Sequence, residues 1–385
     1  MCTPIPRSRK HELSAISSQL LASSFQPRPL SCGSGYCNPC ASLQPAAGNR
    51  LPPDSRLPTH DSPLITYLEA IRQALQEEMR RDPNVLLIGE DIGVLGGAFK
   101  VTEGLQQEFG EDRVIDMPIA EAGFTGLAVG ASMMGLRPVV EFQFSDFISC
   151  AFDQITNVAA KTHYRMGVPV PIVFRAPTGG GFNGGPFHSQ CTEMYFVPTP
   201  GLKIVAPATA SDAKGLLKSS IRDDNPVLFL EHKHLYRRIK EEMPDDDHVV
   251  PLGKAATRCE GDQLTILTYG AMVHICLDAV SRLEEGPGVA DVVDLRTLVP
   301  LDKETILESV KKTGKVLIVH EDNKTGGFAG ELTALIVEEA FEFLDGPIRR
   351  VTAPDTPVPF SPPLEAFHLP NADDVARAAR SLLEY

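Results

Sequence analysis

Residues 137–147 read RPVVEFQFSDF, a short apolar strand that runs directly into the start of a predicted helix. The strand, Arg137 to Phe142, lacks the polar alternation of a half-exposed strand, which is typical of a parallel sheet buried on both faces. Ser145 is suited to cap the helix that follows. Phe144 and Phe147 are either ordinary core residues or an aromatic wall for a flat cofactor.

The same alternation of apolar strand and amphipathic helix extends in both directions along the chain. Alternation of this kind predicts a parallel sheet covered by helices. The predicted strands of this part are residues 85–88, 137–142, 171–174, 203–206 and 227–230, and its predicted helices are residues 65–79, 145–165 and 211–222.

A charged, proline-containing segment, EEMPDDD at Glu241 to Asp247, is predicted to be a surface linker. Beyond it the alternation resumes on a smaller scale. Strands are predicted at residues 264–267, 289–295 and 316–319, and helices at residues 272–283, 303–312, 331–343 and 371–383. The predicted domains are therefore an arm of residues 1–60, an α/β domain of residues 61–245 and a smaller α/β domain of residues 246–385.

The charge of the 385-residue chain is unevenly distributed. Residues 1–60 carry six Lys and Arg against two Asp and Glu, whereas the rest carries 30 against 48. The acidic body argues against nucleic-acid binding, and no apolar run is long enough to span a membrane. Residues 1–60 suit a disordered bacterial extension, a transit peptide or a misread start. We expect the bacterial cytoplasm, or the mitochondrial matrix if the arm is a transit peptide.

A lone carboxylate, Glu121, lies in the apolar segment IAEAGFTG at residues 119–126. Burial among such neighbours should raise its pKa or demand a partner. The structural alternative is a glutamate at a helix N-terminus, where acidic residues are favoured. The segment alone favours this second interpretation.

A glycine-rich loop, RAPTGGGFNGGPFHSQ at residues 175–190, follows a predicted strand. Parallel sheets bind ligands in the loops at the carboxyl ends of their strands. Long loops inside compact domains are usually functional, which favours a binding loop over a mobile linker with an incidental histidine. His188 at the end of this loop is able to transfer protons near neutral pH.

Taken in order from about residue 65 to the end, these segments resemble the β subunit of the decarboxylating component of 2-oxoacid dehydrogenase complexes. The resemblance implies a transketolase-like pyrimidine-binding domain followed by a smaller transketolase C-terminal domain, used chiefly for subunit contacts. Besides the Glu121 segment, it rests on residues 96–105 (GGAFKVTEGL), 152–155 (FDQI), 188–190 (HSQ), 212–217 (DAKGLL), 294–298 (DLRTL) and 325–329 (TGGFA).

The resemblance assigns roles to four residues around thiamine diphosphate. Glu121 matches the carboxylate that hydrogen-bonds the aminopyrimidine and so activates the cofactor, which requires a dry pocket. His188 matches the histidine that faces the reaction channel, for proton transfer or for orienting the lipoyl group. Gln143 and Phe147 match positions beside the aminopyrimidine. Branched-chain relatives often have tyrosine at the second of these positions, so Phe147 retains stacking without the hydroxyl contact.

A monovalent-cation site, for K⁺, is also implied by the resemblance. Hard cations prefer oxygen ligands. The alternative is a helix end closed by an Asp-Asn turn before Pro226, and both interpretations are compatible. The implied ligands are the carbonyls of Ile172, Ser220 and Ile221, with Asp223 and Asn225.

The usual magnesium-diphosphate motif, Gly-Asp-Gly followed by paired asparagines, is missing, since Gly261-Asp262-Gln263 lacks the second glycine. Mg²⁺ bridges phosphates through oxygen ligands, so another chain must provide them. The resemblance implies an α subunit in an α2β2 heterotetramer that holds most of the Mg²⁺ site. It also implies as partners a 2-oxoacid and the lipoyl domain and core of a dihydrolipoyl acyltransferase.

The segments that differ between substrate classes do not all indicate the same 2-oxoacid. The segments at 142–147, 179–181 and 235–237 look most like branched-chain 2-oxoacid enzymes, whereas Lys161-Thr162 and Gln190-Cys191 look more like pyruvate enzymes. We favour a branched-chain substrate, with pyruvate and acetoin dehydrogenases as alternatives. A single-chain transketolase-like enzyme would need a longer chain and the diphosphate motif. A non-catalytic α/β module would not need both a lone apolar-flanked glutamate and a glycine-histidine loop.

Overall fold

The computed structural model describes residues 64–243, 247–284 and 286–385. The arm predicted for residues 1–60 and the middle of the predicted linker lie outside the described residues. In chain order the described strands are β1 (Ile65–Thr66), β2 (Val85–Gly89), β3 (Val114–Asp116), β4 (Arg137–Glu141), β5 (Val173–Thr178), β6 (Lys203–Val205), β7 (Val227–His232), β8 (Lys240–Glu241), β9 (Ala256–Cys259), β10 (Leu264–Thr268), β11 (Ala290–Asp294), β12 (Thr297–Val299), β13 (Val316–Asn323) and β14 (Arg349–Ala353).

The α-helices cover both sheets. Each predicted helix has a described counterpart within a few residues, with one exception treated below. The described helices without a predicted counterpart are Leu105–Phe109, Glu121–Met133, Glu193–Phe196 and Pro362–His368. The first helix of the described chain begins later than predicted, because Thr66 and Glu69 form a reciprocal capping box at its N-terminus. The described α-helices are α1 (Tyr67–Arg81), α2 (Leu105–Phe109), α3 (Glu121–Met133), α4 (Ala160–Met166), α5 (Glu193–Phe196), α6 (Ala210–Arg222), α7 (Met272–Ser281), α8 (Lys303–Thr313), α9 (Ala329–Ala340), α10 (Pro362–His368) and α11 (Ala372–Leu383).

The first sheet has the strand order β12-β6-β7-β5-β4-β2-β3, and its strands are parallel except β12. Side chains alternate across a strand, so each strand contributes to two cores. Val85 and Leu87 pack in the core beneath α1 and α6, and Leu86 and Ile88 pack in the core beneath α3. Burial on both faces explains the uninterrupted apolar runs, and the predicted α/β class is confirmed.

The helix predicted for residues 145–165 is instead three shorter pieces. A 3₁₀ segment, Ser145–Ala151, is followed by a π-helical segment, Gln154–Ala159, and then by α4. Apolar spacing does not distinguish these helix types, because they differ only slightly in residues per turn. Phe147 lies in the 3₁₀ segment, and Gln143 lies just before it.

The second sheet has the order β14-β13-β10-β11-β9, with β9 antiparallel at one edge. The neighbouring strand β12 leaves this domain and pairs antiparallel with β6 of the first sheet. The two domains are also joined by ion pairs, in which Asp212 of the first domain contacts Arg258 and, at 2.7 Å, Arg296. Among the described helices, none is long and apolar enough to cross a bilayer.

Candidate active site

The candidate residues meet at one edge of the first sheet. Strands β3, β2, β4 and β5 are neighbours and parallel, so their carboxyl ends lie side by side. Glu121 follows β3, Gln143 and Phe147 follow β4, and His188 follows β5. These residues are up to 67 positions apart in sequence, and the parallel register brings them to the edge where such sheets bind ligands.

Glu121 is the first residue of α3, as the structural alternative predicted. Its side chain makes no hydrogen bond to any described residue, and it is half-buried rather than enclosed. The expected burial is therefore incomplete in the single chain, because Ala122 and Gly123 on the same turn are exposed. The carboxylate is available to accept a hydrogen bond from a bound group.

Glu90, immediately after β2, is a second carboxylate at this edge and was not predicted. The residue is buried, and its Oε1 has no hydrogen-bond partner among the described residues. Burial, with the charges of Glu121 and Asp91, raises the pKa of Glu90 to about 7. An acid directly after the apolar run of residues 85–88 was the available signal. Glu90 and Glu121 therefore interact electrostatically at this edge, and Glu90 holds a proton more readily than an ordinary glutamate.

Gln143 contacts Asp91, the residue that follows Glu90. Its Nε2 is 3.4 Å from Oδ2 of Asp91, a long hydrogen bond. Asp91 has a φ of 57°, an uncommon conformation for a non-glycine residue and one that functional sites often retain. The edge at β2 and β4 therefore combines carboxylates with one side-chain amide.

His188 and Phe147 are brought together on the β4–β5 side of the edge. The imidazole of His188 packs edge-on to Phe144 and Phe147, with ring centroids 4.7 and 5.5 Å away. Phe182 stacks on Phe144 at 6.3 Å with an interplanar angle of 12°. The aromatic wall that residues 142–147 suggested thus exists, and the histidine is part of it.

Lys233, after β7, is a further residue that the sequence analysis missed. Its Nζ lies 5.6 Å from the ring centre of Phe144 and 5.2 Å from that of Phe182, and it donates to the carbonyl of Pro177. Burial lowers the pKa of Lys233 to about 8. A buried ammonium between two aromatic faces is a cation–π arrangement that fixes the rings.

Beneath the site, a buried ion-pair network ties the strands together. Arg175 on β5 donates to Glu141 on β4 at 2.6 Å and to Glu231 on β7 at 2.6 and 2.9 Å. Tyr236 adds a hydrogen bond to Glu231. Burial raises the pKa of Glu141, and Arg175 opposes that shift. Because each charge has partners, the network holds the three strand ends in register.

The five predicted cation ligands gather at the opposite, amino-terminal edge of the first sheet. Asp223 Oδ1 accepts hydrogen bonds from the backbone and side-chain nitrogens of Asn225, at 2.8 and 3.0 Å, which is the predicted Asp-Asn turn. The carbonyl of Ile172 accepts from Val227 at 2.9 Å. The predicted ligands are Ile172, Ser220, Ile221, Asp223 and Asn225.

Two cationic side chains already contact this turn. Lys203 pairs with Asp223, and Arg137 donates to the carbonyl of Ile221 at 3.0 Å. Burial would raise the pKa of Asp223, but Lys203 and Asn225 lower it below its usual value. The cation site stays a prediction, and it lies at the opposite edge of the sheet from Glu121 and His188.

Each of the two domains matches a known protein family. Residues 64–239 match the family described as transketolase, pyrimidine binding domain, and residues 253–375 match that described as transketolase, C-terminal domain. The chain is 50% identical over 325 residues to the 2-oxoisovalerate dehydrogenase subunit beta of Bacillus subtilis (strain 168), covering 84% of this chain and 99% of the relative. This chain belongs to the β-subunit family of the 2-oxoacid dehydrogenases.

Another member of this family is nearly as similar. The pyruvate dehydrogenase E1 component subunit beta of Bacillus subtilis (strain 168) is 47% identical over 323 residues, covering 83% of this chain and 99% of the relative. Among solved structures, a split-gene transketolase described as an inactive β4 tetramer has a TM-score of 0.67 at 24% identity. It covers 83% of this chain and 98% of its own, and shows the fold.

The cofactor of this family is thiamine diphosphate, and the residues at the sheet edge fit its aminopyrimidine end. Glu121 offers a carboxylate without a partner in the described chain, and Glu90 offers an orphaned buried oxygen. Phe144 and Phe147 provide aromatic faces, and Gln143 provides an amide. A planar, nitrogen-rich ring needs this combination of acceptors and apolar walls.

Proposed function

We propose that this β subunit forms an α2β2 heterotetramer that decarboxylates a branched-chain 2-oxoacid and acylates the lipoyl group of a dihydrolipoyl acyltransferase. The observation that carries the proposal is the convergence of Glu121, Gln143, Phe147 and His188 at one sheet edge. When bound, thiamine diphosphate supplies the electron sink that decarboxylation requires.

Glu121 would hold a proton against a ring nitrogen of the aminopyrimidine. This task requires a carboxyl group that water does not solvate, because a hydrated carboxylate stays ionised and keeps its acceptor sites occupied. Glu90 assists, since its proximity discourages ionisation of both acids at once. Gln143 and Phe147 would orient the ring through a polar contact and a stacking contact.

His188 would act on the substrate side of the site, by moving a proton or by orienting the incoming lipoyl group. Its two phenylalanine neighbours restrict the imidazole to an edge-on orientation. A fixed ring orientation is what a proton-transfer group needs.

The α subunit would complete the site by covering α3. One face of this helix is apolar and exposed next to Glu121, and it includes two glycines that permit close helix approach. Leu127 is 51% exposed and Met134 is 84% exposed. The face consists of Gly123, Leu127, Gly130 and Met134, spaced by three or four residues along one side of the helix.

A chain seated on this face would exclude water from Glu121. Exposed apolar faces of this kind mark protein–protein interfaces. The same partner would supply the Mg²⁺ ligands and diphosphate contacts whose sequence motif this chain lacks. The acyltransferase core and its lipoyl domain would dock on the assembled α2β2 particle, and K⁺ would bind at the turn of Asp223.

The preference for a branched-chain substrate is supported by the higher identity to the 2-oxoisovalerate enzyme and by the segments at 142–147, 179–181 and 235–237. The α chain shares in substrate choice, and pyruvate or acetoin remains the alternative. The test is to produce the chain with its α subunit and compare kcat/KM for 3-methyl-2-oxobutanoate, pyruvate and acetoin. A preference for pyruvate or acetoin would contradict the branched-chain assignment.

The assignment of Glu121 has a separate test in the same complex. Glu121→Ala removes the proton-holding group, and we expect kcat to fall by at least about 100-fold, the lower range for a lost general acid–base group. Glu111→Ala serves as the control, because Glu111 is an exposed acid in the turn before β3. Undiminished activity of Glu121→Ala would refute its role.

We further propose that the mature protein works in the bacterial cytoplasm. The alternative is the mitochondrial matrix, with residues 1–60 as a transit peptide. N-terminal sequencing of the protein isolated from its source tests this, since removal of about 60 residues would favour the matrix.

A further inference from the structure

The loop that carries His188, residues 179–190, is held by side chains of the second domain. Glu321, near the end of β13, accepts a hydrogen bond from the backbone N–H of Gly180 at 2.6 Å. Glu365 on α10 accepts from the N–H groups of Gly181 at 3.1 Å and of Asn183 at 3.0 Å. Three backbone donors within four residues therefore point at two carboxylates that come from distant parts of the chain.

Both carboxylates are well placed to act as fixed anchors. Glu321 is 8% exposed and Glu365 is 4% exposed. The second oxygen of Glu321 lies 2.8 Å from Nε2 of His232. Burial alone would raise the pKa of Glu321, but His232 and the Gly180 N–H lower it to about 2, so it stays charged. Hydrogen bonds to a buried charged acceptor are stronger than those between neutral groups.

The loop is also enclosed by rings on both sides. His232 and His234, at the end of β7, lie against Gly179 and Gly181, and Nδ1 of His234 is 3.2 Å from the carbonyl of Gly181. Phe360 of the second domain lies against Gly185. The glycines leave room for these rings because they have no side chain.

We infer that Glu321 and Glu365 are positioning residues for the reaction, which hold the loop so that His188 faces Phe144 and Phe147. The inference rests on the role proposed for His188. It gives the second domain a part in the active site in addition to the subunit contacts expected from the sequence.

Glu365 provides the sharper test, because the described hydrogen bonds of its side chain go only to the loop. In the α2β2 complex, Glu365→Ala removes the acceptor, whereas Glu365→Gln keeps a neutral acceptor of similar size. Glu308→Ala, at an exposed position of the same domain, is the control. Hydrogen exchange is followed in the peptide that spans residues 179–190 and in the peptide that contains β2.

We expect Glu365→Ala to speed exchange in the loop peptide roughly ten- to hundredfold, as the loss of hydrogen bonds to a charged group implies. Glu365→Gln should produce a smaller increase, and the β2 peptide should not change. Equal acceleration in both peptides would indicate simple destabilisation, and no acceleration in the loop would show that Glu365 does not hold it. Either result overturns the inference.

A kinetic comparison tests whether the hold of Glu365 on the loop affects the reaction. Decarboxylation with ferricyanide as electron acceptor is compared with acylation of an isolated lipoyl domain. We expect Glu365→Ala to lower kcat of at least one reaction about tenfold with little change in KM for the 2-oxoacid, and Glu365→Gln to recover part of it. A looser loop with unchanged rates would refute the positioning role. Full activity of His188→Ala would instead refute the role proposed for His188, while the exchange result would still stand.

Discussion

At the scale of single residues, two neighbouring glutamates differ because their environments differ. Glu90 is buried with an unpartnered oxygen, whereas Glu121 is half-buried at an open helix end. Acid pairs whose surroundings separate their protonation states are common in active sites. The buried Glu90 therefore brings a carboxyl group that is partly protonated near neutral pH to the same sheet edge as Glu121.

The raised pKa of Glu90 predicts a pH-dependent stability of the chain without its partner. A carboxyl with a raised pKa stabilises the folded state fully below its unfolded pKa of about 4.5 and loses this contribution as pH rises through about 7. Glu90→Gln should therefore become more stable than the wild type across this window. We expect a plateau difference of roughly 1 to 2 kcal/mol above pH 7, after allowance for solvent screening.

Thermal unfolding of the two proteins between pH 4.5 and 8 measures this difference. Glu111→Gln, at an exposed position, should show no such trend. A constant offset between Glu90→Gln and the wild type over the whole range would contradict the assigned pKa.

At the scale of elements, the loop after β5 depends on glycine. Gly179 has a φ of 80°, and a Cβ added there would lie 2.0 Å from Nε2 of His232, which pairs with Glu321. Alanine at this position would displace the ring and its partner. The strained backbone and the steric clash should distort the loop. The sheet below should keep its structure, because the buried Arg175 network holds its strands together.

Gly179→Ala is predicted to lower the free energy of unfolding more than Gly104→Ala does. Gly104 has a similar φ of 85°, but an added Cβ meets nothing within 4 Å. The cost of a positive φ is common to both variants, so the difference reports the steric clash, about 1 to 3 kcal/mol. Urea unfolding of both variants measures it. Equal destabilisation would mean that His232 moves aside freely.

At the scale of the whole molecule, the apolar face of α3 predicts how the chain assembles. Leu127 lies in the middle of this face. Leu127→Asp should abolish or greatly weaken α2β2 formation while the lone chain keeps its fold, because a charge would be buried without a partner. Val249→Asp changes another exposed apolar residue and should assemble normally.

Sedimentation velocity with the α subunit, together with far-UV circular dichroism of the lone chain, checks this prediction. Normal assembly of Leu127→Asp would show that the α subunit binds elsewhere. Loss of the circular-dichroism signal would show instead that Leu127 supports the chain's own fold.

The sequence alone determined the fold class, the family and most strands and helices. The reason is local, because uninterrupted apolar runs such as residues 85–88 require burial on both faces, and that requires covering helices. Glu121 and His188 were selected because each is a polar residue in an apolar or glycine-rich segment. Their chemical roles, with those of Gln143 and Phe147, came from the resemblance and stay predictions.

Tertiary structure alone decided which residues share the site and what surrounds them. Glu90 acquires its raised pKa from burial and, next, from the charge of Glu121, which is distant in the chain but follows the neighbouring parallel strand. Lys233 and Glu365 approach the His188 loop only after the sheet and the second domain have formed. Local sequence patterns do not predict such contacts, because burial and electrostatic coupling depend on distance in space and not on distance along the chain.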